Sequence, residues 1–183
     1  MFKDCKYLFL DRDGVINERI IGGYILRYED FRFKEGVLEA LKYFSHRFER
    51  IFIVTNQQCI GKKLISEEDF LSLNAQMLRD ISLNGGRIDR VYYCPFLKSE
   101  NSPLRKPATG MGLKAKEDFP EIDFALSLMA GDSESDMRFG KGLGMKTAFI
   151  DNRTGEPLDG SLADMKLSSL MDLADVLKKE SGL

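Results

Sequence analysis

Tyr7-Leu8-Phe9-Leu10-Asp11-Arg12-Asp13-Gly14-Val15-Ile16-Asn17 passes abruptly from four apolar residues into two acids and a glycine. A short, uninterrupted apolar run bounded by turn formers reads as a strand buried on both faces, the habit of parallel sheets covered by helices. The pattern recurs. Ile51-Phe52-Ile53-Val54, largely β-branched, ends at Thr55-Asn56-Gln57. Residues 90–94 supply a third strand and 125–130 a fourth, which ends at Gly131-Asp132-Ser133-Glu134-Ser135-Asp136. Residues 146–151 close the alternation.

Between these runs the period changes to that of a helix. Gly36 precedes Val37, Leu38, Leu41 and Phe44 at helical spacing. Ser66, with Asp69 three residues on, resembles a capping box. Phe70, Leu71, Met77, Leu78 and Ile81 give that helix its inner face, and Gly85-Gly86 end it. Further helices are expected near 110–119, 133–141 and 169–179, with a loop at 152–159. Gly140, Gly142 and Gly144 precede a strand, so they suit a tight helix-to-strand turn; a dinucleotide loop follows a strand instead. Strands alternating with helices predict an α/β fold, a doubly wound, Rossmann-like parallel sheet. With 183 residues, the chain suits one domain spanning 1–183. The intervals 11–55 and 55–106 hold no separate cap domain, so the site should be open, with loops 21–28 and 96–104 setting specificity.

Composition removes several classes of function. The net charge of −2, with acids and bases interspersed, offers no concentrated basic face for nucleic acid. The apolar runs are too short to span a bilayer, and no signal-peptide pattern precedes the first strand; a cytoplasmic location, with no membrane partner, is the expectation. Cys5, Cys59 and Cys94 form no close pairs, which fits a reducing compartment. The single histidine, His46, lies at the end of a helical pattern and suits a structural or surface role. One histidine excludes zinc sites built from several imidazoles. No long heptad pattern is present, and a monomer is the default.

In doubly wound sheets, ligands bind beyond the carboxyl ends of the strands. Four polar segments fall there: Asp11–Asn17 after the first strand, Thr55-Asn56-Gln57 after the second, Arg105-Lys106-Pro107 beyond the third, and Gly131–Asp136 after the fourth. Singly, each is unremarkable in a chain with 29 acidic residues. Together, and in order, they describe phosphate chemistry. A carboxylate that attacks a phosphate dianion is repelled by it unless cations offset the charge. Magnesium suits an oxygen-only donor set. Asp11 and Asp132 can supply carboxylates and Asp13 its backbone carbonyl. Lys106 can bridge Asp11 and a phosphoryl oxygen, and Thr55 can donate to the remaining oxygens. Asp13 is then the general acid, expected to hold its proton because nearby negative charge raises its pKa.

These segments resemble the haloacid dehalogenase superfamily, subfamily III, whose members form phosphoaspartyl intermediates on a Rossmann-like sheet. Within it the chain is similar to the subgroup of D-glycero-D-manno-heptose-1,7-bisphosphate 7-phosphatases and histidinol-phosphate phosphatases. Asp11-Arg12-Asp13-Gly14-Val15-Ile16-Asn17, Thr55-Asn56-Gln57, Tyr92-Tyr93-Cys94-Pro95, Arg105-Lys106-Pro107, Gly110-Met111 and Gly144-Met145-Lys146-Thr147 carry the resemblance. It implies Asp11 as nucleophile, Asp13 as acid/base, Thr55 and Lys106 on the phosphoryl group, and Asp11, Asp13 and Asp132 on magnesium. It also implies that Gly22, Gly23, Tyr24, Ile25, Asn56, Gln57 and Arg105 surround the substrate, with Ser133 beside the metal. Arg105 would meet a second anionic group. Members of the subgroup carry a structural zinc held by three cysteines and a histidine before Arg-Lys-Pro. Here only Cys94 remains, and no structural zinc is expected.

The implied function is a magnesium-dependent phosphatase of a small sugar phosphate, heptose 1,7-bisphosphate first and histidinol phosphate second. A phosphotransferase or mutase is disfavoured because no cap excludes water. A catalytically silent phospho-ligand binding module is disfavoured by the intact aspartates and lysine.

Overall fold

A computed structural model describes residues 1–152 and 158–182. The strands are β1 (Tyr7–Leu10), β2 (Arg50–Asn56), β3 (Arg90–Cys94), β4 (Ser127–Gly131), β5 (Lys146–Ile150) and β6 (Met165–Leu167). The helices are α1 (Val37–Arg47), the single turn α2 (Gln58–Gly61), α3 (Glu67–Leu83), α4 (Gly110–Asp118), α5 (Glu134–Gly142) and α6 (Leu170–Glu180). All pairings are parallel, in the order β3-β2-β1-β4-β5-β6. The order reverses direction at β1 and β4, and that pair opens the crevice expected of a doubly wound sheet.

Strand alternation builds two separate cores. Leu8 and Leu10, Ile51 and Ile53, Leu128 and Ala130, and Ala148 and Ile150 face the layer of α1, α3 and α6. Tyr7 and Phe9, Phe52 and Val54, Tyr92 and Cys94, Met129 and Phe149 face the layer of α4 and α5. Cys94 thus sits in the apolar layer at the end of β3. β1 and the middle of β2 are buried on both faces with no polar position among them, and this is why Tyr7–Leu10 and Ile51–Val54 read as continuous apolar runs.

Several expectations are corrected. Residues 124–126 form a 3₁₀ turn, capped by Asp123, and the strand begins only at Ser127. In α3, Leu71 is 49% exposed and Leu73 takes its place in the core beside Phe70, Met77 and Ile81. An added edge strand, β6, follows the loop, of which residues 153–157 lie outside the described residues. The capping box expected at Ser66 is present in part: its hydroxyl accepts from the Asp69 amide at 3.0 Å. Among the described residues no helix is long and apolar enough to cross a membrane.

Candidate active site

The carboxyl ends of β1, β2 and β4 converge on one cavity of about 410 Å³. Asp11, Asp13, Thr55, Asn56, Gln57, Arg105, Lys106, Asp132 and Ser133 line it, together with Gly23, Tyr24 and Ile25 from the loop after β1. Gly22 does not; it is exposed and takes a positive φ of 72° in the turn of that loop.

At the centre, the Lys106 ammonium lies 2.9 Å from Asp11 Oδ1 and 2.5 Å from Asp136 Oδ1, and donates to the Val54 carbonyl at 2.6 Å. Burial alone would push its pKa down; the charges of Asp11 and Asp136 outweigh this and raise it, so it stays an ammonium. Asn56 sets the loop that delivers it. Its carboxamide oxygen accepts from the Lys106 amide at 3.0 Å and its Nδ2 donates to the Lys106 carbonyl at 3.1 Å.

Asp11, Asp132 and Asp136 each offer an oxygen, all within 4.8 Å of one another. Burial and then the neighbouring Asp136 push Asp11 up to about 8, against the pull of Lys106. The same two causes push Asp132 up to about 6. Three buried carboxylates crowded around one ammonium leave negative charge that a hard divalent cation would neutralise, and an all-oxygen donor set suits magnesium. The residues therefore fit that ion. Asp136 was not singled out in the sequence as a ligand. It is the third residue of α5, in a reciprocal capping box with Ser133, whose hydroxyl donates to Asp136 Oδ2 at 2.6 Å. The Ser-x-x-Asp spacing is the signal by which this cap could have been found, and the cap is what aims Asp136 at Lys106.

Asp13 is held apart from this cluster. Arg12 Nη2 donates to both its carboxylate oxygens at 3.0 Å, Asn17 Nδ2 to Oδ1 at 2.9 Å, and Gln57 Nε2 to Oδ2 at 2.8 Å. Gln57 Nε2 also reaches Thr55 Oγ1 at 2.9 Å. Burial pushes the Asp13 pKa up, but the Arg12 charge and these hydrogen bonds outweigh it and lower the pKa below 3.8. Without a phosphate beside it, this carboxylate is therefore held on the ionised side, because the groups facing it are donors and a guanidinium rather than acids. Asn17 and Asn152 also escaped the sequence reading. Asn152 Nδ2 donates to Asp132 Oδ2 at 2.9 Å and to the Gly14 carbonyl at 2.6 Å, which fixes Asp132 against the loop after β1. Isolated asparagines carry no spacing that would reveal such a role.

Comparison with known proteins places this geometry. Residues 9–174 match the family model described as polynucleotide kinase 3 phosphatase. The chain is 42% identical to D-glycero-alpha-D-manno-heptose-1,7-bisphosphate 7-phosphatase of Campylobacter jejuni, over 80% of this chain and 83% of that one. It is 38% identical to D-glycero-beta-D-manno-heptose-1,7-bisphosphate 7-phosphatase of Vibrio cholerae, over 93% and 95%. The D,D-heptose 1,7-bisphosphate phosphatase of B. bronchiseptica, solved with magnesium and phosphate, superposes with a TM-score of 0.85 over 96% of this chain and 99% of that one, at 22% identity, and shares the fold. That of Burkholderia thailandensis gives 0.66 at 28% identity, over 94% and 98%. By sequence over most of its length and by fold, the chain belongs to the haloacid dehalogenase superfamily, in the family of the heptose-1,7-bisphosphate 7-phosphatases.

Proposed function

We propose that the chain is a magnesium-dependent phosphatase that removes the 7-phosphate of D-glycero-D-manno-heptose 1,7-bisphosphate through a phosphorylated Asp11. The observation that carries this reading is the buried Lys106 ammonium, 2.9 Å from Asp11, beside the three-carboxylate cluster. Relatives up to 42% identical bear the substrate's name. Arg105 adds support. It lines the cavity, and among the described residues its Nη1 has no hydrogen-bond partner, so its guanidinium is available to pair with a second phosphate.

Asp11 and Asp132, with the backbone carbonyl of Asp13, would hold magnesium, which would offset the charge of the phosphate dianion against the attacking carboxylate. In the first step an Asp11 oxygen attacks phosphorus and the bond to the sugar oxygen breaks. Asp13 gives that oxygen its proton. Water then attacks the aspartyl phosphate, Asp13 takes the water's proton, and phosphate leaves Asp11. In the substrate-free site Asp13 is ionised; a phosphate dianion arriving beside it raises its proton affinity and so loads the acid. Lys106 keeps Asp11 oriented, and Thr55 and the backbone after it face the remaining phosphoryl oxygens. The partner is a small phosphorylated sugar, and the surface favours neither nucleic acid nor membrane.

The test is phosphate release, with magnesium and with chelator, from both anomers of the heptose bisphosphate, histidinol phosphate and a 3′-phosphorylated oligonucleotide. The heptose bisphosphate should be turned over fastest, only with magnesium, and not at all by Asp11→Asn. Release that persists in that variant, or a preference for the oligonucleotide, overturns the reading.

A further inference from the structure

We propose that Arg12 is a positioning residue: it fixes the direction of the Asp13 carboxylate for proton transfer to the leaving oxygen and ties that group to helix α3. The inference rests on the reading of Asp13 as the acid/base. Arg12 is 1% exposed, the largest fully buried side chain among the described residues. Its guanidinium stands 5.5 Å over the Phe70 ring, and Nη1 donates to Asn74 Oδ1 at 3.3 Å, both on α3. The other side of the fork is spent on Asp13, through Nη2 at 3.0 Å to each oxygen and Nε at 3.3 Å to Oδ1.

Stability alone gives little reason for this arrangement. A buried ion pair is commonly no better than well-packed hydrophobic residues of the same volume, because both ions lose their hydration. Yet the partner of this arginine is not itself sealed in the core. The Asp13 side chain is 27% exposed and faces the cavity. The desolvation therefore serves a group that meets the substrate. A planar fork that engages both oxygens sets the plane of the carboxylate, which an ammonium cannot do. Asn17 and Gln57 each hold one oxygen and complete the frame. Held in this way, Asp13 stays out of the group formed by Asp11, Asp132 and Asp136. A small misplacement of a proton donor costs rate far out of proportion to the displacement.

A residue acting through a general acid matters only where the leaving group needs a proton. The experiment measures the single-turnover rate of enzyme phosphorylation with two esters, a sugar phosphate and p-nitrophenyl phosphate, whose leaving group departs unprotonated. Arg12→Met should slow the sugar ester about 100-fold and the aryl ester less than about threefold, with KM within about twofold. Asp13→Asn should show the same selectivity, and the double variant should be no slower than Asp13→Asn alone. Arg12→Lys, which keeps the buried charge but not the fork, should show the same ester selectivity at smaller amplitude, and it carries the comparison if the methionine variant does not fold. Equal losses with both esters, or additive losses in the double variant, overturn the role of Arg12. If Asp13→Asn itself shows no ester selectivity, the acid/base reading fails instead.

Discussion

Gly14 shows how tightly single residues are specified around the cluster. Its φ is +92°, and a Cβ there would lie 2.0 Å from Asp132 Oδ2 and 2.9 Å from Asn152 Nδ2. Its carbonyl is also gripped, by Lys34 Nζ at 3.0 Å and by Asn152. Lys34 and Asn152 are hydrogen-bonded to each other as well, so the loop after β1 and the end of β5 close as a latch over Asp132. Gly14→Ala should therefore strain the backbone by about 1–2 kcal/mol and push Asp132 out of place. The expected result is a magnesium affinity lowered at least about tenfold by calorimetry, with the melting temperature reduced only by that strain. Affinity equal to that of the parent chain would show that Asp132 relocates freely.

At the scale of elements, the sheet is secured differently at its centre and at its edge. β1 lies between β2 and β4 and is buried on both faces, with Phe9 at 5.0 Å from the Phe52 ring. β6 is short and partly exposed, and beyond its pairing with β5 one side chain at its approach helps to hold it. Asp164 accepts from Lys141 Nζ at 2.7 Å and from the Thr147 amide at 2.8 Å, linking α5, β5 and the entry to β6. Burial would push its pKa up, but the hydrogen bonds from Lys141 and Thr147 lower it. Asp164→Ala should cost about 1–3 kcal/mol in urea unfolding, since it leaves the Thr147 amide unsatisfied. A lowered folded pKa makes that contribution complete above the ordinary 3.8 and lost as pH falls through the folded value. The cost of the substitution should therefore shrink below about pH 4, and a cost that grows there would refute the assignment.

For the molecule as a whole, the acidic cluster couples stability to pH and to metal. Asp11 at about 8 and Asp132 at about 6 bind protons more tightly in the folded chain than in the unfolded one. With raised values, their contribution is greatest below 3.8 and is lost as pH rises through about 6 and then about 8. Magnesium must displace those same protons, so its affinity rises over the same interval. The melting temperature gained on adding magnesium should accordingly grow from pH 5 to pH 8.5, with proton release on binding seen in buffers of different ionisation enthalpy. A gain that is flat across this range would mean that the metal does not sit among these carboxylates.

The amino-acid order alone determined the alternation of strands and helices, and with it the meeting of Asp11, Asp13, Thr55, Lys106 and Asp132 in one crevice. Buried parallel strands leave a strong local mark, and the topology of such sheets dictates where their carboxyl ends gather. Edge strand β6 leaves a weak mark because a short, partly exposed segment needs no continuous apolar run, and Leu71 lies outward where the spacing points inward because helical spacing alone fixes an apolar face only to within a residue. Tertiary structure alone decided the charge of Asp13, the approach of Asp136 to Lys106, and the latch of Lys34 and Asn152. Each depends on side chains far apart in the chain meeting at a few ångströms in a place with little water. Electrostatic interactions there are governed by distance and burial, and neither quantity is written in residue spacing.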